Sequence, residues 1–136
     1  MMFLTRIEHF NAAHKLYNPA WDKEKNEMVF GKCANENWHG HNYELHVTVK
    51  GEVSEDTGFV INVKILSSLI KDFVLEELDH KNLNMDVEFL KGKMCSTENL
   101  AKEIWVQLYS RMPNGVQLHA VKLYETPRIY IEYFGD

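Results

Sequence analysis

The chain has 136 residues and a mass of 16.0 kDa, the size of one domain with a single core. Its 15 Lys and Arg residues against 20 Asp and Glu residues give a formal net charge of -5, which argues against broad contacts with nucleic acid or an anionic membrane. No stretch reaches the roughly 18 consecutive apolar residues of a membrane span, and the first ten residues lack the features of a signal peptide. We therefore expect a single cytoplasmic domain over residues 1–136.

The first half of the chain predicts two strands separated by a long connection. Residues 3–13 are rich in aromatic and β-branched side chains and predict a strand whose far end delivers His14. Residues 15–38 have no clear period and exceed the usual length of a structureless loop, which favours a functional role. From residue 39 the period is two, so one face of the next strand is largely apolar. That face holds His39, His41, Tyr43, Leu45, Val47 and Val49.

The second half predicts two helices and a closing hairpin. A turn at 54–58 and a short strand end at 59–62 precede a helix capped by Asn62, which continues to Leu78 with apolar residues at helical spacing. Residues 79–95 predict an irregular connection. The second helix starts at Ser96 or Thr97 and ends before Pro113. Residues 116–125 and 128–134 then predict the two strands of a hairpin.

This order of elements predicts an α+β domain with two layers. Two helices between antiparallel strands imply a four-stranded antiparallel sheet with both helices on one face. The other face carries Glu44, His46, Thr48 and Lys50, so we expect it to be wet or covered by another subunit.

Three histidines predict a metal site at the ends of the first two strands. His39 and His41 are two positions apart, so their side chains leave one face of the strand about 6–7 Å apart at the backbone. His14 adds a third imidazole if the two strands pair as a hairpin. Three neutral imidazoles around Zn²⁺ leave a fourth position for water or substrate, as in a catalytic site. The spacing alone fits two surface or capping histidines as well.

The two cysteines, Cys33 and Cys95, are too few for a disulfide framework. Cys33 lies six positions before His39, in polar sequence beside Lys32, so we expect an accessible thiol whose thiolate form is favoured by the nearby charge. It fits a further zinc ligand, a general base or nucleophile, and an ordinary cysteine. Cys95 precedes a helix cap, and we expect a buried or incidental thiol there.

Two carboxylates are further candidates. Asp79 and His80 adjoin each other at the exit of the first helix, and a carboxylate that binds one imidazole nitrogen tunes the other for proton transfer. A solvated aspartate beside a C-terminal histidine fits the sequence equally well. Glu125 ends a strand, where it fits either a ligand-binding carboxylate or a solvated strand end.

Six motifs carry a family resemblance, namely FNAAH, GKCANENWHGHNY, GEVSEDTGFVIN, LDHKNLNMDV, STEN and YETP. In this order they resemble the 6-pyruvoyltetrahydropterin synthases and their relatives, the 6-carboxytetrahydropterin synthases of queuosine biosynthesis, from about residue 7 to residue 126. The resemblance implies a tetrahydrobiopterin-synthesis-type fold. In that fold three subunits close their sheets into a barrel, and two trimers stack into a homohexamer.

The resemblance also implies a role for each candidate residue. The implied zinc ligands are His14, His39 and His41. The implied catalytic residues are Cys33 as the base and Asp79 with His80 as the proton relay. Glu125 would hold the pterin ring, with Thr97 and Ser96 nearby across a subunit boundary. Family members carry Thr where this chain has Ser96, and the hydroxyl is kept.

The reaction implied by the resemblance is a zinc-dependent lyase reaction on 7,8-dihydroneopterin triphosphate, giving 6-pyruvoyltetrahydropterin and free triphosphate. Zinc would act as a Lewis acid on the substrate hydroxyls, and Mg²⁺ would accompany the triphosphate. The alternative is the 6-carboxy product, with release of acetaldehyde and triphosphate. Five residues separate Cys33 from His39, which favours the 6-pyruvoyl branch, although many bacterial queuosine-type enzymes share this spacer.

Two other classes of protein fit the same residues. One is a non-catalytic zinc-binding or pterin-binding barrel. The other is a zinc hydrolase that uses a bound hydroxide and needs neither Cys33 nor Glu125. A Cys33→Ala variant distinguishes both classes from the lyase, because only the lyase would lose triphosphate release.

Overall fold

The computed structural model describes residues 1–136 and contains one five-stranded sheet. Its strands are β1 (Met2–His14), β2 (His39–Gly51), β3 (Lys81–Asn82), β4 (Val116–Thr126) and β5 (Ile129–Tyr133), in the order β3-β1-β2-β4-β5. Four strands form the predicted antiparallel set, but β3 pairs in parallel with β1. The prediction of four antiparallel strands is therefore wrong at one edge. A strand of two residues has no period of its own and exists only through its pairing with Ala12 and Ala13.

Three helices accompany the sheet, where the sequence predicted two. They are α1 (Lys23–Phe30), α2 (Val63–Ile70, continued through a π turn at Lys71–Leu75 to Glu76–Leu78) and α3 (Thr97–Tyr109). The unpredicted helix, α1, lies in the long connection and buries only Asn26, so it has no apolar stripe to indicate it. The strand end predicted at residues 59–62 is also absent, although the turn before it is present.

The two predicted helices cover one face of the sheet. Buried side chains of α2 and α3 share a core with the apolar face of β2, whose members there include Tyr43, Leu45, Val47 and Val49. The helical contribution includes Leu66, Ile70, Val74, Leu78, Leu100, Ile104 and Leu108. Burial of each large aliphatic side chain contributes about 1.5–3 kcal/mol. The period of two in β2 therefore predicts correctly which face meets the helices.

Local signals fix the ends of the elements around this core. The Asn62 side chain accepts a hydrogen bond from the Lys64 amide at the start of α2, and Ser96 Oγ accepts one from the Asn99 amide at the start of α3. Ser96, and not Thr97, is therefore the cap of the second predicted helix. None of the helices has the length and apolar character needed to cross a membrane.

Candidate metal centre

Three histidines meet at the paired ends of β1 and β2. The antiparallel register sets His14 opposite His39 and Ala12 opposite His41, so the three imidazoles share the face that the helices cover. The ring centroids lie 4.5 Å apart for His14 and His39, 5.1 Å for His14 and His41, and 4.9 Å for His39 and His41. A nearly equilateral triangle of imidazoles is the arrangement expected of three ligands to one ion.

Four imidazole nitrogens in this triangle are buried without hydrogen-bond partners. His14 Nε2, His39 Nδ1 and Nε2, and His41 Nε2 are inaccessible to solvent and unbonded. A buried polar atom without a partner costs roughly 1–3 kcal/mol, and such atoms are rare in native proteins. A bound metal ion would give one such nitrogen on each of the three rings a partner. The residues present therefore fit a metal ion.

A carboxylate completes the group. Glu125, at the end of β4, brings Oε1 to 3.0 Å from His41 Nε2 and 3.5 Å from His14 Nε2. The short contact with His41 lacks the geometry of a hydrogen bond, since that nitrogen remains unbonded. Ligand atoms of the three histidines and Glu125 all lie within 4.8 Å of one another. These four residues could hold a metal ion.

Burial keeps the three imidazoles in the form that binds metals. Removal from water is the main cause that lowers the pKa of His14, His39 and His41 below the ordinary value for histidine. The other imidazoles lower these pKa values further, and Glu125 opposes the shift. A neutral imidazole has a free lone pair, so the site favours the ligating form at neutral pH.

One histidine is oriented by the main chain. His14 Nδ1 donates a hydrogen bond of 2.7 Å to the Cys95 carbonyl, which leaves Nε2 as the nitrogen that faces the group. Tyr43 Oη lies 3.5 Å from the same Nδ1, on a fully buried side chain. Outer contacts of this kind fix the tautomer of a metal ligand. Cys95 is buried as predicted, and burial raises the pKa of its thiol to about 11.

Cys33 lies in a short turn between α1 and β2, outside the group of four. The turn, a 3₁₀ helix at Gly31–Ala34, leaves the side chain half-buried. The Cys33 carbonyl accepts a hydrogen bond of 2.8 Å from the Leu16 amide, two residues beyond His14. The turn is thereby attached to the chain just beyond the end of β1 that carries His14.

The long connection that leads to Cys33 is built around one buried amide. Asn26 is fully buried, and its Oδ1 accepts a hydrogen bond of 2.7 Å from the Asn18 amide. Its Nδ2 donates to the carbonyls of Asn18, Trp21 and Asp22, at 3.1, 3.4 and 3.0 Å. Sequence reasoning missed this residue, because a buried asparagine has the same letter as a loop asparagine and its partners are set by the fold.

We expect the Asn26→Ala variant to lose about 2 kcal/mol of unfolding free energy, because the Asn18 amide loses its acceptor inside the connection. Thermal unfolding and limited proteolysis of residues 18–30 would measure the loss. The matched control is Glu27→Ala, which removes only an exposed pair with Lys23 and is expected to change little. Equal behaviour of the two variants would contradict the role given to Asn26.

Asp79 and His80 bind to Asn11, near the end of β1 that carries His14. Asp79 Oδ1 accepts a hydrogen bond of 2.9 Å from the Asn11 amide and lies 3.0 Å from His80 Nδ1. The His80 amide donates to the Asn11 carbonyl at 2.6 Å, and its φ is +62°. The Asn11 amide, followed by His80, holds the pKa of the Asp79 carboxyl below its usual value. The two adjacent side chains are therefore in contact with each other, a point that the sequence left open.

The whole chain matches one family of proteins. A family model described as 6-pyruvoyl tetrahydropterin synthase matches residues 3–136. The chain belongs to this family. A 6-pyruvoyl tetrahydrobiopterin synthase from Pongo abelii is 44% identical over 133 residues, which cover 98% of this chain and 91% of that protein. The chain is thus an enzyme of the 6-pyruvoyl tetrahydropterin synthase type, a lyase.

Structural similarity agrees with the sequence match. The structure of Caenorhabditis elegans 6-pyruvoyl tetrahydropterin synthase superposes with a TM-score of 0.93 at 37% identity, covering 99% of this chain and 96% of that one. A 6-carboxy-5,6,7,8-tetrahydropterin synthase from Bacillus subtilis is 32% identical over 136 residues, covering 96% of this chain and 83% of that protein. The similarity is therefore higher to proteins named for the 6-pyruvoyl reaction.

In this member of the synthase family, the remaining candidates lie at the start of α3. Ser96 uses its hydroxyl to cap the helix, and Thr97 is buried in the first turn. They directly follow Cys95, whose carbonyl holds His14. The structure thus brings three histidines and Glu125 into one group. Ser96 and Thr97 directly follow the residue whose carbonyl binds His14. Cys33 and the Asp79–His80 pair lie on separate segments, the first bound to Leu16 just beyond β1 and the second bound to Asn11 of β1.

Proposed function

We propose that this enzyme is zinc-dependent and converts 7,8-dihydroneopterin triphosphate into 6-pyruvoyltetrahydropterin with loss of triphosphate. The observation that carries the proposal is the triangle of imidazoles in which each ring has at least one buried nitrogen without a hydrogen-bond partner. A site of three histidines with one open position is typical of catalytic zinc. Named relatives of the 6-pyruvoyl type support the substrate class.

His14, His39 and His41 would hold the zinc ion. When bound there, zinc supplies Lewis-acid polarisation of the substrate side-chain oxygens, which makes a proton on the neighbouring carbon easier to remove. The protein contributes the rigidity of the ligands. His14 is fixed by the Cys95 carbonyl, and the register of β1 with β2 fixes the other two.

Cys33 would remove the carbon-bound proton. A cysteine thiolate is a competent general base near neutral pH. The hydrogen bond between the Leu16 amide and the Cys33 carbonyl ties the turn to β1 two residues after His14. The proposed base would therefore act from a turn that is attached to the chain close to His14.

His80 would return a proton on the other side of the substrate. Asp79 Oδ1 lies within hydrogen-bond distance of His80 Nδ1, so His80 Nε2 is the nitrogen left to carry a proton. The side chain of His80 is 81% exposed in the single chain and open to a ligand. With the thiol and this pair on different segments, removal and return of protons are assigned to different groups.

Glu125 would hold the pterin ring by accepting its N–H donors, with Thr97 and Ser96 nearby. The carboxylate lies beside the three histidines, 3.0 Å from His41 Nε2. The side chain of a pterin bound to Glu125 would therefore extend towards the metal. Elimination of triphosphate with internal redox needs no nicotinamide. Mg²⁺ would accompany the triphosphate.

We further propose the homohexamer, a dimer of trimers. The outer edge of β1 is covered by β3 only at Ala12 and Ala13, and β5 forms the other edge of the sheet. Long open edges are normally paired or protected in native proteins. Pairing of these two edges between subunits would close three sheets into a barrel and enclose the polar face.

Incubation with 7,8-dihydroneopterin triphosphate and Mg²⁺ is expected to release triphosphate and to give a product with the mass of 6-pyruvoyltetrahydropterin. Mass spectrometry of the product checks this directly. A 6-carboxy product together with acetaldehyde would identify the other branch, to which the Bacillus subtilis relative belongs by name. Unchanged substrate would contradict both.

A further inference from the structure

The residues that follow β1 contact both of the segments that carry the proposed acid and base. Lys15 and Leu16 continue the chain beyond His14, with the turn of Cys33 on one side and the segment after His80 on the other. The inference drawn from these contacts rests on the roles proposed above for Cys33, Asp79 and His80.

On one side, a side chain replaces backbone pairing. β3 pairs with β1 at Ala12 and Ala13, and the Leu83 amide donates to the Ala13 carbonyl at 2.8 Å. Beyond this point Asn84 takes over with its side-chain amide. Its Oδ1 accepts from the Lys15 amide at 3.0 Å, and its Nδ2 donates to the Lys15 carbonyl at 3.1 Å. Both polar groups of one main-chain residue are thus bound by one side chain.

On the other side, the same two residues hold the turn of Cys33. The Leu16 amide donates to the Cys33 carbonyl at 2.8 Å, and the Lys15 ammonium lies 4.3 Å from the centre of the Trp38 ring. Trp38 has a φ of +71°, a conformation that a bulky residue keeps only where its surroundings hold it. Residues 33 and 38 are therefore attached to Lys15 and Leu16 at both ends of the spacer.

We propose that Asn84 is a positioning residue for the reaction. By clamping the main chain of Lys15 it fixes the strip formed by Lys15 and Leu16, and through this strip it fixes the turn of Cys33 relative to the segment of Asp79 and His80. Cys33, the proposed base, and Asp79, part of the proposed proton relay, are 46 positions apart in the sequence. Asn84 links the segments that carry them, because it follows Asp79 and His80 along the chain and binds Lys15. It touches neither group and acts only through the strip.

The test measures the reactivity of the Cys33 thiol, which needs no substrate. In Asn84→Ala we expect Cys33 to be alkylated by iodoacetamide about five- to tenfold faster than in the wild type, because two hydrogen bonds that restrain the strip are lost. Peptide-resolved mass spectrometry separates Cys33 from the buried Cys95. We also expect a fall in kcat of similar size, with KM for the pterin triphosphate nearly unchanged.

Two further variants make the test specific. Asn84→Asp keeps the oxygen that binds the Lys15 amide and loses the donor to the Lys15 carbonyl, so its effect should be intermediate. Met85→Ala changes the next residue, which is 70% exposed, and should alkylate at the wild-type rate. Hydrogen exchange at the Leu16 amide should rise in Asn84→Ala and stay unchanged in Met85→Ala.

Two results would overturn the proposal. A wild-type alkylation rate in Asn84→Ala would mean that this side chain serves only its own turn, and an equal rise in Met85→Ala would mean a general loosening of the segment. Neither depends on the proposed reaction. If the proposed function failed, the wild type would release no triphosphate or Cys33→Ala would keep its release, whereas the coupling from Asn84 to the thiol would still be measurable.

Discussion

Triphosphate release by the Cys33→Ala enzyme is expected to fall by a factor of about 10² to 10⁴, the usual contribution of a general base. Bound zinc should stay at the wild-type level, because Cys33 lies outside the group formed by the three histidines and Glu125. The thiol lies on a turn whose backbone contact with Leu16 does not need the side chain. The fold and the metal site should therefore survive. Triphosphate-release kinetics and metal analysis of the same preparation measure both quantities.

Two controls define what the loss means. Cys33→Ser keeps the size of the side chain but replaces the thiol with a hydroxyl that does not ionise near neutral pH, so it should be as inactive as Cys33→Ala. Met28→Ala alters an exposed residue of α1 in the same connection and should be fully active. Retained release in Cys33→Ala would favour a zinc hydrolase. Unchanged ligand binding with no turnover in any variant, wild type included, would favour a binding protein.

The strand that carries two of the histidines could be predicted because its pattern is dictated by burial. Alternation along β2 places His39 and His41 on the face of Tyr43 and Leu45, and the structure buries that face under the helices. His14 follows from the same logic, since the hairpin register sets it opposite His39. A group of strand histidines at a hairpin end that could hold a metal ion can therefore be predicted from the sequence.

The connection before β2 could not be predicted in the same way. Its helix, α1, is held by the cap at Asp22 and by the buried amide of Asn26, and neither produces a hydrophobic period. The segment after α2 shows the same limit. β3 and Asn84 are defined by what they bind on β1, so a reading based on local pattern sees only an irregular connection.

Two contacts at the site depend on main-chain atoms and on proximity in space. Cys95 was predicted as a buried thiol, and its thiol is buried, but the carbonyl of the same residue orients His14. Every residue has a carbonyl, so no residue letter indicates this contact. Glu125 was assigned to the pterin, and the structure also brings it into contact distance of His41 and His14. Its role needs an experiment that separates the two.

Replacing His39 with alanine is expected to weaken zinc binding by at least about 100-fold, since loss of a mere outer-shell partner already costs 10- to 100-fold. His39 contributes one of the three imidazoles in the group, and neither of its nitrogens has another partner. Chelator competition measures the dissociation constant. Because bound ligand stabilises the folded state, a chelator should lower the melting temperature of the wild type and leave His39→Ala unchanged.

Two further variants, His46→Ala and Glu125→Gln, show which residues of the site contribute to zinc binding. His46 lies on the same strand but on the opposite face, where it contacts Glu44, so its loss should leave zinc affinity unchanged. Glu125→Gln should also keep its zinc affinity if the carboxylate holds the pterin, and raise KM for the substrate instead. A drop in zinc affinity equal to that of His39→Ala would make Glu125 the fourth ligand, as its 3.0 Å approach to His41 allows. Unchanged zinc affinity in His39→Ala itself would mean that the buried triangle of imidazoles is not the metal site.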